Sequence, residues 1–476
     1  MRKNLFSAAW LVMAGAAVAL SSCSNDDDLK QGGNGPVQVI TMTVANSGDN
    51  FGSRAADRDL YSSVAAQSIG NVKVVVYKLE GVTTASSDND IKAAWYTGAK
   101  TIVAQKLFTD WMNGGVSSAY SNHGRQASWS LSGTDLIKEE GVYMAYAVGY
   151  NDNANNYTEA NAFGALAKGA AATCPLNVTA GDAVKEIFAG ATTFKVTNNK
   201  VGDGADAWTF NASLTLHRQV AGAIGYFTNI PTKGNIDHKD DNATTLRLVA
   251  SGKNTKAVFA GFNSAFTEKD NDVQYVVNGH TAPAAYNAKF YGSTDNDAYE
   301  VYKITLSDWF TAGDSNNDGY LNESDTWAIP ASYKIAGTED YTIHVHKGSA
   351  LAGTFLMPFQ YVSDKATFQL QTLNASGEVI RYWNIRLPQT PSTTPVNVVA
   401  STGAVTPAAA ADNVNNYSVV RNHMYNIGTR NLGDNPGTDP GDPGTDPEDK
   451  PQDLNNETLI LKVNDNWEAI HEMIVD

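Results

Sequence analysis

From Val37 to Val44 the chain reads Val-Gln-Val-Ile-Thr-Met-Thr-Val, with Ile40, Met42 and Val44 on one side of a period-two pattern and Thr41 and Thr43 on the other. Such alternation predicts a half-buried strand. Val72–Tyr77 and Val142–Val148 are β-branched and aromatic runs of strand length. Ile187-Phe188-Ala189-Gly190 precedes a further strand at Thr193–Thr197, and a strand opening at Leu214–Ala221 continues to Phe227. Thr367–Thr372 and Val379–Leu387 flank Asn374-Ala375-Ser376-Gly377, which reads as a hairpin turn. Helical periodicity is scarce and no short repeat is visible. The expectation is an all-β chain of two β-sandwich domains, with a boundary near residue 210.

The first residues add a compartment. Arg2 and Lys3 precede the apolar run Leu5–Leu20, which is short and rich in small residues, unlike a spanning helix. It ends in Leu20-Ser21-Ser22-Cys23, where a lipoprotein signal places its cysteine. Cys23 is therefore the expected lipidation site and the first residue of the mature chain. The other reading is an ordinary secretory signal with an incidental cysteine. Two or more acyl chains suffice for stable anchoring.

About 450 residues follow that signal, enough for two or three domains with ordinary cores. Cys174 is the one remaining cysteine, so no disulfide links the mature domains and stability must come from packing. The net charge of −16 speaks against nucleic acid or an anionic bilayer as a partner.

The tail changes the picture most. Gly433–Lys450 is rich in Pro, Asp and Gly and forms an acidic, partly stiff spacer that cannot build a core. Beyond it, Thr458–Val463 is again a strand, and its stripe Leu459, Leu461 and Val463 continues through Trp467. Extended, residues 458–476 would span about 60 Å. An apolar strand on a spacer must bury its stripe, either on its own domain or in a neighbouring molecule by β-augmentation. At the other end, Phe51-Gly52-Ser53-Arg54-Ala55-Ala56 reads as an exposed loop suited to proteolysis. A cut between Arg54 and Ala55, or alternatively after Arg58, would release both the lipid at Cys23 and the strand at 37–45. It would leave a groove for another copy's tail.

These landmarks together resemble the type V fimbrillins of Bacteroidia, with the major subunit of the short (minor) fimbriae as the nearest type. The residues that carry the resemblance are the motif ending in Cys23, the Ser53-Arg54-Ala55 junction, Leu216-His217-Arg218-Gln219-Val220-Ala221, Val419–Ile427, and the spacer before a Trp-containing terminal strand, while the acidic Ser24–Asp28 resembles the signal that sends lipoproteins of Bacteroidia to the cell surface. The resemblance implies two transthyretin-like β-sandwiches, maturation by an arginine-specific protease, and polymerisation by donor-strand exchange. It divides the chain into a signal peptide (1–22), a lipidated propeptide with the first strand (23–54), two sandwich domains (55–210 and 211–432), a spacer (433–457) and a donor strand (458–476). It also implies an outer-membrane lipoprotein precursor that becomes part of a surface fimbria supporting adhesion and biofilm formation. The expected partners are other copies of the chain, and tip and anchor subunits.

One further motif carries chemistry. Asp314-Ser315-Asn316-Asn317-Asp318-Gly319-Tyr320-Leu321-Asn322-Glu323-Ser324-Asp325 sets Asp314, Asn316, Asp318, the Tyr320 carbonyl, Asn322 and Asp325 at the spacing of a calcium loop, with Gly319 at its sharp turn. Asp325 stands where a bidentate glutamate is usual, so the reading is either calcium or a polar surface turn. No hydrolase elbow, zinc-protease helix or phosphate loop is present, and no catalytic residue is assigned. The chain is expected not to be an enzyme. His217, His423 and the scattered tryptophans read as core filling. The competing class is a monomeric surface glycan-binding lipoprotein, which needs neither a terminal strand on a spacer nor an arginine after its first strand.

Overall fold

The computed structural model describes residues 38–44, 70–97, 99–109, 111, 118–119, 125–150, 171–172, 177–179, 187–199, 207–254, 256–258, 276–278, 286–292, 297–334, 337, 341, 343–360, 366–385, 397–399, 405–407, 418–421, 423–428, 450–455, 459 and 461–464. All of them fall in one compact unit, Pro36–Asp476. The architecture is all-β.

The first half is built from β1 (Gln38–Val44), β2 (Asn71–Leu79), β3 (Lys100–Phe108), β4 (Arg125–Ser130), β5 (Gly141–Tyr150), β6 (Phe188–Val196) and β7 (Phe210–Arg218). With the short strands Ser118–Ala119 and Ala171–Ala172 at its two ends, they run in the order β4-β1-β7-β6-β5-β2-β3. β7 belongs to two layers. Phe210–Leu216 pairs in parallel with β1, whereas His217 and Arg218 pair antiparallel with β6. The sheet thereby folds over itself. At the corner the backbones nearly touch: a side-chain carbon at Gly190 of β6 would lie 2.0 Å from the Thr215 carbonyl oxygen.

Two cores explain the near-continuous apolar runs of β2 and β5, both buried along almost their whole length. Val72, Val74 and Val76, with Tyr143, Ala145 and Ala147, face a core closed over by Ile40, Met42, Trp129, Leu214 and Leu216. Val75, Tyr77, Met144, Tyr146 and Val148 point the other way, into a larger core that continues into residues 220–454.

That second core lies between two sheets. One contains β8 (Ala221–Thr228), β11 (Ser349–Leu356), β14 (Met424–Ile427) and β16 (Leu461–Asn464), in the order β11-β8-β14-β16. The other contains β9 (Thr245–Ala250), β10 (Asp297–Thr305), β12 (Phe368–Leu373) and β13 (Val379–Ile385), in the order β10-β9-β12-β13. The two-residue β15 (Gln452–Asp453) pairs in parallel with β8. Ile224 and Tyr226 from one sheet meet Leu246, Leu248, Phe368 and Leu370 from the other, and the rings of Phe368 and Tyr425 lie 5.9 Å apart. This is a β-sandwich core.

Three elements depart from the expectations. Ile187–Gly190 and Thr193–Thr197 are not two segments but the single strand β6. Leu214–Leu216, expected to open the second sandwich, instead pair with β1 in the first sheet, and the chain crosses to β8 at Gln219–Val220. A helix at Asp88–Thr97 has no counterpart in the hydrophobic pattern. Its start is marked chemically, since the Ser87 hydroxyl accepts from the Asp90 N–H at 3.3 Å and donates to the Asp90 carboxylate at 2.6 Å.

Candidate functional site: the slot of the first strand

β1 is an interior strand. It pairs in parallel with β7 from Gln38↔Phe210 to Val44↔Leu216, and antiparallel with β4 from Val39↔Ser130 to Val44↔Arg125. Parity sends Gln38, Ile40 and Met42 inward, all essentially without solvent exposure, while Val39 and Thr41 lie half-buried outside. Across the ladders Ile40 sits between Ala212 and Trp129, and Met42 between Leu214 and Ala127. On the outer side the Thr41 and Ser128 hydroxyls lie 3.1 Å apart.

Gln38 was not singled out from the sequence, although it shares the inward parity of Ile40 and Met42. Its amide answers both backbone groups of one residue: Nε2 donates to the Ile137 carbonyl at 2.6 Å and Oε1 accepts from the Ile137 N–H at 2.8 Å. Nε2 also donates to the Trp208 carbonyl at 3.0 Å, and the Gln38 carbonyl accepts from Leu131 N–H at 2.9 Å. One buried side chain thus satisfies three backbone groups that would otherwise be buried without partners.

Near the far end of the chain, the described residues 459 and 461–464 rest on its own second half. Leu461–Asn464 pairs antiparallel with β14, from Ile427↔Leu461 to Met424↔Asn464, and Leu459 packs against the larger core. Of the two destinations left open by the sequence, Leu459 and Leu461–Asn464 take the local one in the single chain. Cys23, Arg54, Ala55, Arg58, Cys174, Trp467 and most of the 433–457 spacer lie outside the described residues.

The two landmark motifs around residues 219 and 421 meet. β8 pairs in parallel with β14, and Gly222 N–H donates to the His423 carbonyl at 2.9 Å. Buried Arg421 donates to the Gln219 side-chain oxygen at 3.2 Å, and Gln219 Nε2 donates to the Ala189 carbonyl at 3.3 Å. His423 is buried, with Nδ1 2.8 Å from the Arg421 carbonyl. These groups tie the crossing between the halves.

The 314–325 loop is ordered from within. Asp314 accepts from the Asp318 N–H at 3.1 Å and the Gly319 N–H at 2.9 Å, and the buried Asp325 accepts from the Ser315 N–H at 2.8 Å and the Asn322 N–H at 2.9 Å. The Asp318 carboxyl accepts from the Asn322 amide, the Tyr320 N–H and the Asn316 amide, which together hold it below the usual carboxylate range. Asn317 (φ 58°) and Gly319 (φ 91°) supply the left-handed turns. The loop is fixed to the sandwich through the pairing of Tyr320–Leu321 with Ile230–Pro231. Among the described residues, a group of His/Asp/Glu side chains that converge within 4.8 Å of one another lies elsewhere: His238, Asp241 and Glu378, all substantially exposed. Their separation along the chain gives a sequence reader no signal.

No family model matches the chain, and no curated protein matches it in sequence. Solved structures similar to it include the fimbrial anchor protein Mfa2 from Porphyromonas gingivalis, at 10% identity over 90% of this chain and 97% of that one, with a TM-score of 0.33. A fimbrial assembly protein from Parabacteroides distasonis aligns at 11% identity over 83% and 92%, with a TM-score of 0.30. A candidate cell adhesion protein from Bacteroides eggerthii aligns at 12% identity over 91% and 97%, with a TM-score of 0.34. Similarity this distant assigns no role to any residue here.

Proposed function

We propose that this chain is a structural stalk subunit of a cell-surface fimbria, exported as a lipoprotein on Cys23 and polymerised by donor-strand exchange. An arginine-specific protease cuts after Arg54, or after Arg58, and so detaches both the anchor and β1. The terminal strand carrying Leu459, Leu461, Val463 and Trp467 then fills the slot of the next copy. Tip and anchor subunits complete the filament, and adhesion is its purpose.

The observation that carries this reading is the position of β1. It is paired on both sides and buries Gln38, Ile40 and Met42, yet it precedes the proposed cut in sequence. Losing an edge strand would leave the sheet intact; losing this one opens a slot between β4 and β7 with two unpaired ladders. Fimbrial and adhesion proteins among the distant likenesses are in keeping with a surface role but supply none of the argument. Calcium in the 314–325 loop belongs to the same proposal, held by Asp314, Asn316, Asp318, the Tyr320 carbonyl, Asn322 and Asp325. Its place is structural, at a loop pinned to the sandwich.

The test is an electrophoretic ladder. Purified full-length protein treated with an arginine-specific protease should form one, and deletion of residues 457–476 should abolish it while leaving a folded monomer. N-terminal sequencing of the ladder should start at Ala55, or at Asp59 if Arg58 is the site. A truncated protein that still ladders, or an intact cut protein that never does, overturns the proposal. Polysaccharide retarding the monomer on a gel would favour the glycan-binding class.

A further inference from the structure

We infer that the incoming strand takes the place of β1 in one register and direction: Glu457 at the site of Gln38, Leu459 at Ile40, Leu461 at Met42 and Val463 at Val44, parallel to β7 of the receiving copy. The inference rests on the proposed strand exchange and says what the slot selects for. β1 reads Gln-Val-Ile-Thr-Met-Thr-Val over 38–44, and the tail reads Glu-Thr-Leu-Ile-Leu-Lys-Val over 457–463. At the inward positions 38, 40 and 42 the match is polar, apolar, apolar in both. Ile to Leu and Met to Leu keep the side-chain volume closely, a kind of exchange that cores tolerate, and Val44 to Val463 is an identity. On the outward positions Thr458 replaces Val39 with nearly the same shape, and Lys462 falls where Thr43 stood.

The polar end of the slot excludes the neighbouring registers. Sliding the tail by two residues one way brings Leu459 against the Ile137 N–H and the Ile137 and Trp208 carbonyls that Gln38 serves, and leaves all three without partners, whereas Glu457 at that place still answers the N–H. Sliding it two residues the other way drives the Glu457 carboxylate between Trp129 and Ala212. A shift of one residue turns Lys462 inward. The reversed direction would set Asp465 at the Gln38 site, one methylene too short for the same reach. It would also exchange the parallel and antiparallel ladders along β7 and β4.

Glu457 has the length of Gln38, and one of its oxygens can accept from the Ile137 N–H. Its second oxygen faces the Ile137 and Trp208 carbonyls, to which Gln38 donates. The joint between copies is therefore the looser version of the strand it replaces at this one position, and Glu457→Gln should tighten it.

The experiment scans the register in full-length protein carrying Cys174→Ser. Copies with Leu459→Cys are mixed with copies bearing a single cysteine at Phe210, Ala212, Leu214 or Leu216, cut with the arginine-specific protease, and treated with a short thiol-bridging reagent. Bridging strongest at 212 is the expected result. In parallel, Glu457→Gln should slow loss of the ladder in urea by about tenfold or more, because the amide recovers two buried hydrogen bonds, to the Ile137 and Trp208 carbonyls. Strongest bridging at 210, 214 or 216, or a Glu457→Gln ladder no more resistant than the parent's, overturns the register while leaving strand exchange standing. A cut protein that never ladders removes strand exchange itself, and the register with it.

Discussion

Ile40→Ala is the substitution that separates the two jobs assigned to β1. Ile40 is completely buried between Ala212 and Trp129 in the core that also holds Val74 and Tyr143. Three carbons are removed, worth about 2.4 kcal/mol at about 0.8 kcal/mol each. The indole on one side and a methyl side chain on the other leave little that can collapse into the gap, so a cavity cost is added and the total should be about 3 kcal/mol. In the uncut protein β1 is covalently tethered, and the loss should appear as reduced stability in a urea melt. After the cut β1 is a bound peptide, and the same 3 kcal/mol weakens its hold by about a hundredfold. Cut Ile40→Ala protein should therefore ladder much faster than cut wild type, although the uncut variant is the less stable of the two. Equal laddering rates combined with the expected loss of stability would refute the idea that departure of β1 gates assembly. An unchanged melt would refute the packing from which the magnitude was worked.

Three further outcomes follow from the same structure. Gln38→Leu should destabilise the uncut protein by about 2 kcal/mol in a denaturant melt, because Ile137 and the Trp208 carbonyl lose their partners. Gly190→Ala should lower the melting temperature even though alanine is hardly larger, since its methyl would lie 2.0 Å from the Thr215 carbonyl oxygen at the fold of the sheet; a neutral result would mean that this corner yields freely. Calcium should raise the melting temperature of the wild type and leave Asp314→Ala unaffected; equal shifts in both would remove the metal from the 314–325 loop.

Local features of this fold were legible because they are written in short-range chemistry. The alternation over 38–44 gave a strand, and the buried runs around 72–77 and 142–148 gave two more. The hairpin between β12 and β13 follows from Asn374 and Gly377: the Asn374 side-chain oxygen accepts from the Ser376 and Glu378 N–H groups, and Gly377 takes φ 80°. What stayed hidden depends on distant partners. Nothing local in Val37–Val44 says that the strand lies between residues 125–130 and 210–216 rather than at an edge. Nothing in Leu214–Leu216 says that these residues close the first sheet instead of opening the second. The 314–325 loop was legible as a motif, and its internal hydrogen bonds are those of a folded loop. Gln38 shows the middle case, since its parity was readable but the Ile137 backbone that it answers is a product of the fold.

The sharing of β7 between two layers has a mechanical side. In a filament joined as proposed, pulling on one copy draws the inserted strand lengthwise along Phe210–Leu216, so the bonds of that ladder are loaded together rather than peeled one at a time. The strain then passes along the same strand to the rungs that His217 and Arg218 make with β6, and after Gln219 and Val220 it enters β8. A single continuous stretch of backbone would carry tension from the joint into the second half of the subunit, and the strength of such a fibre would be set by shear along one strand.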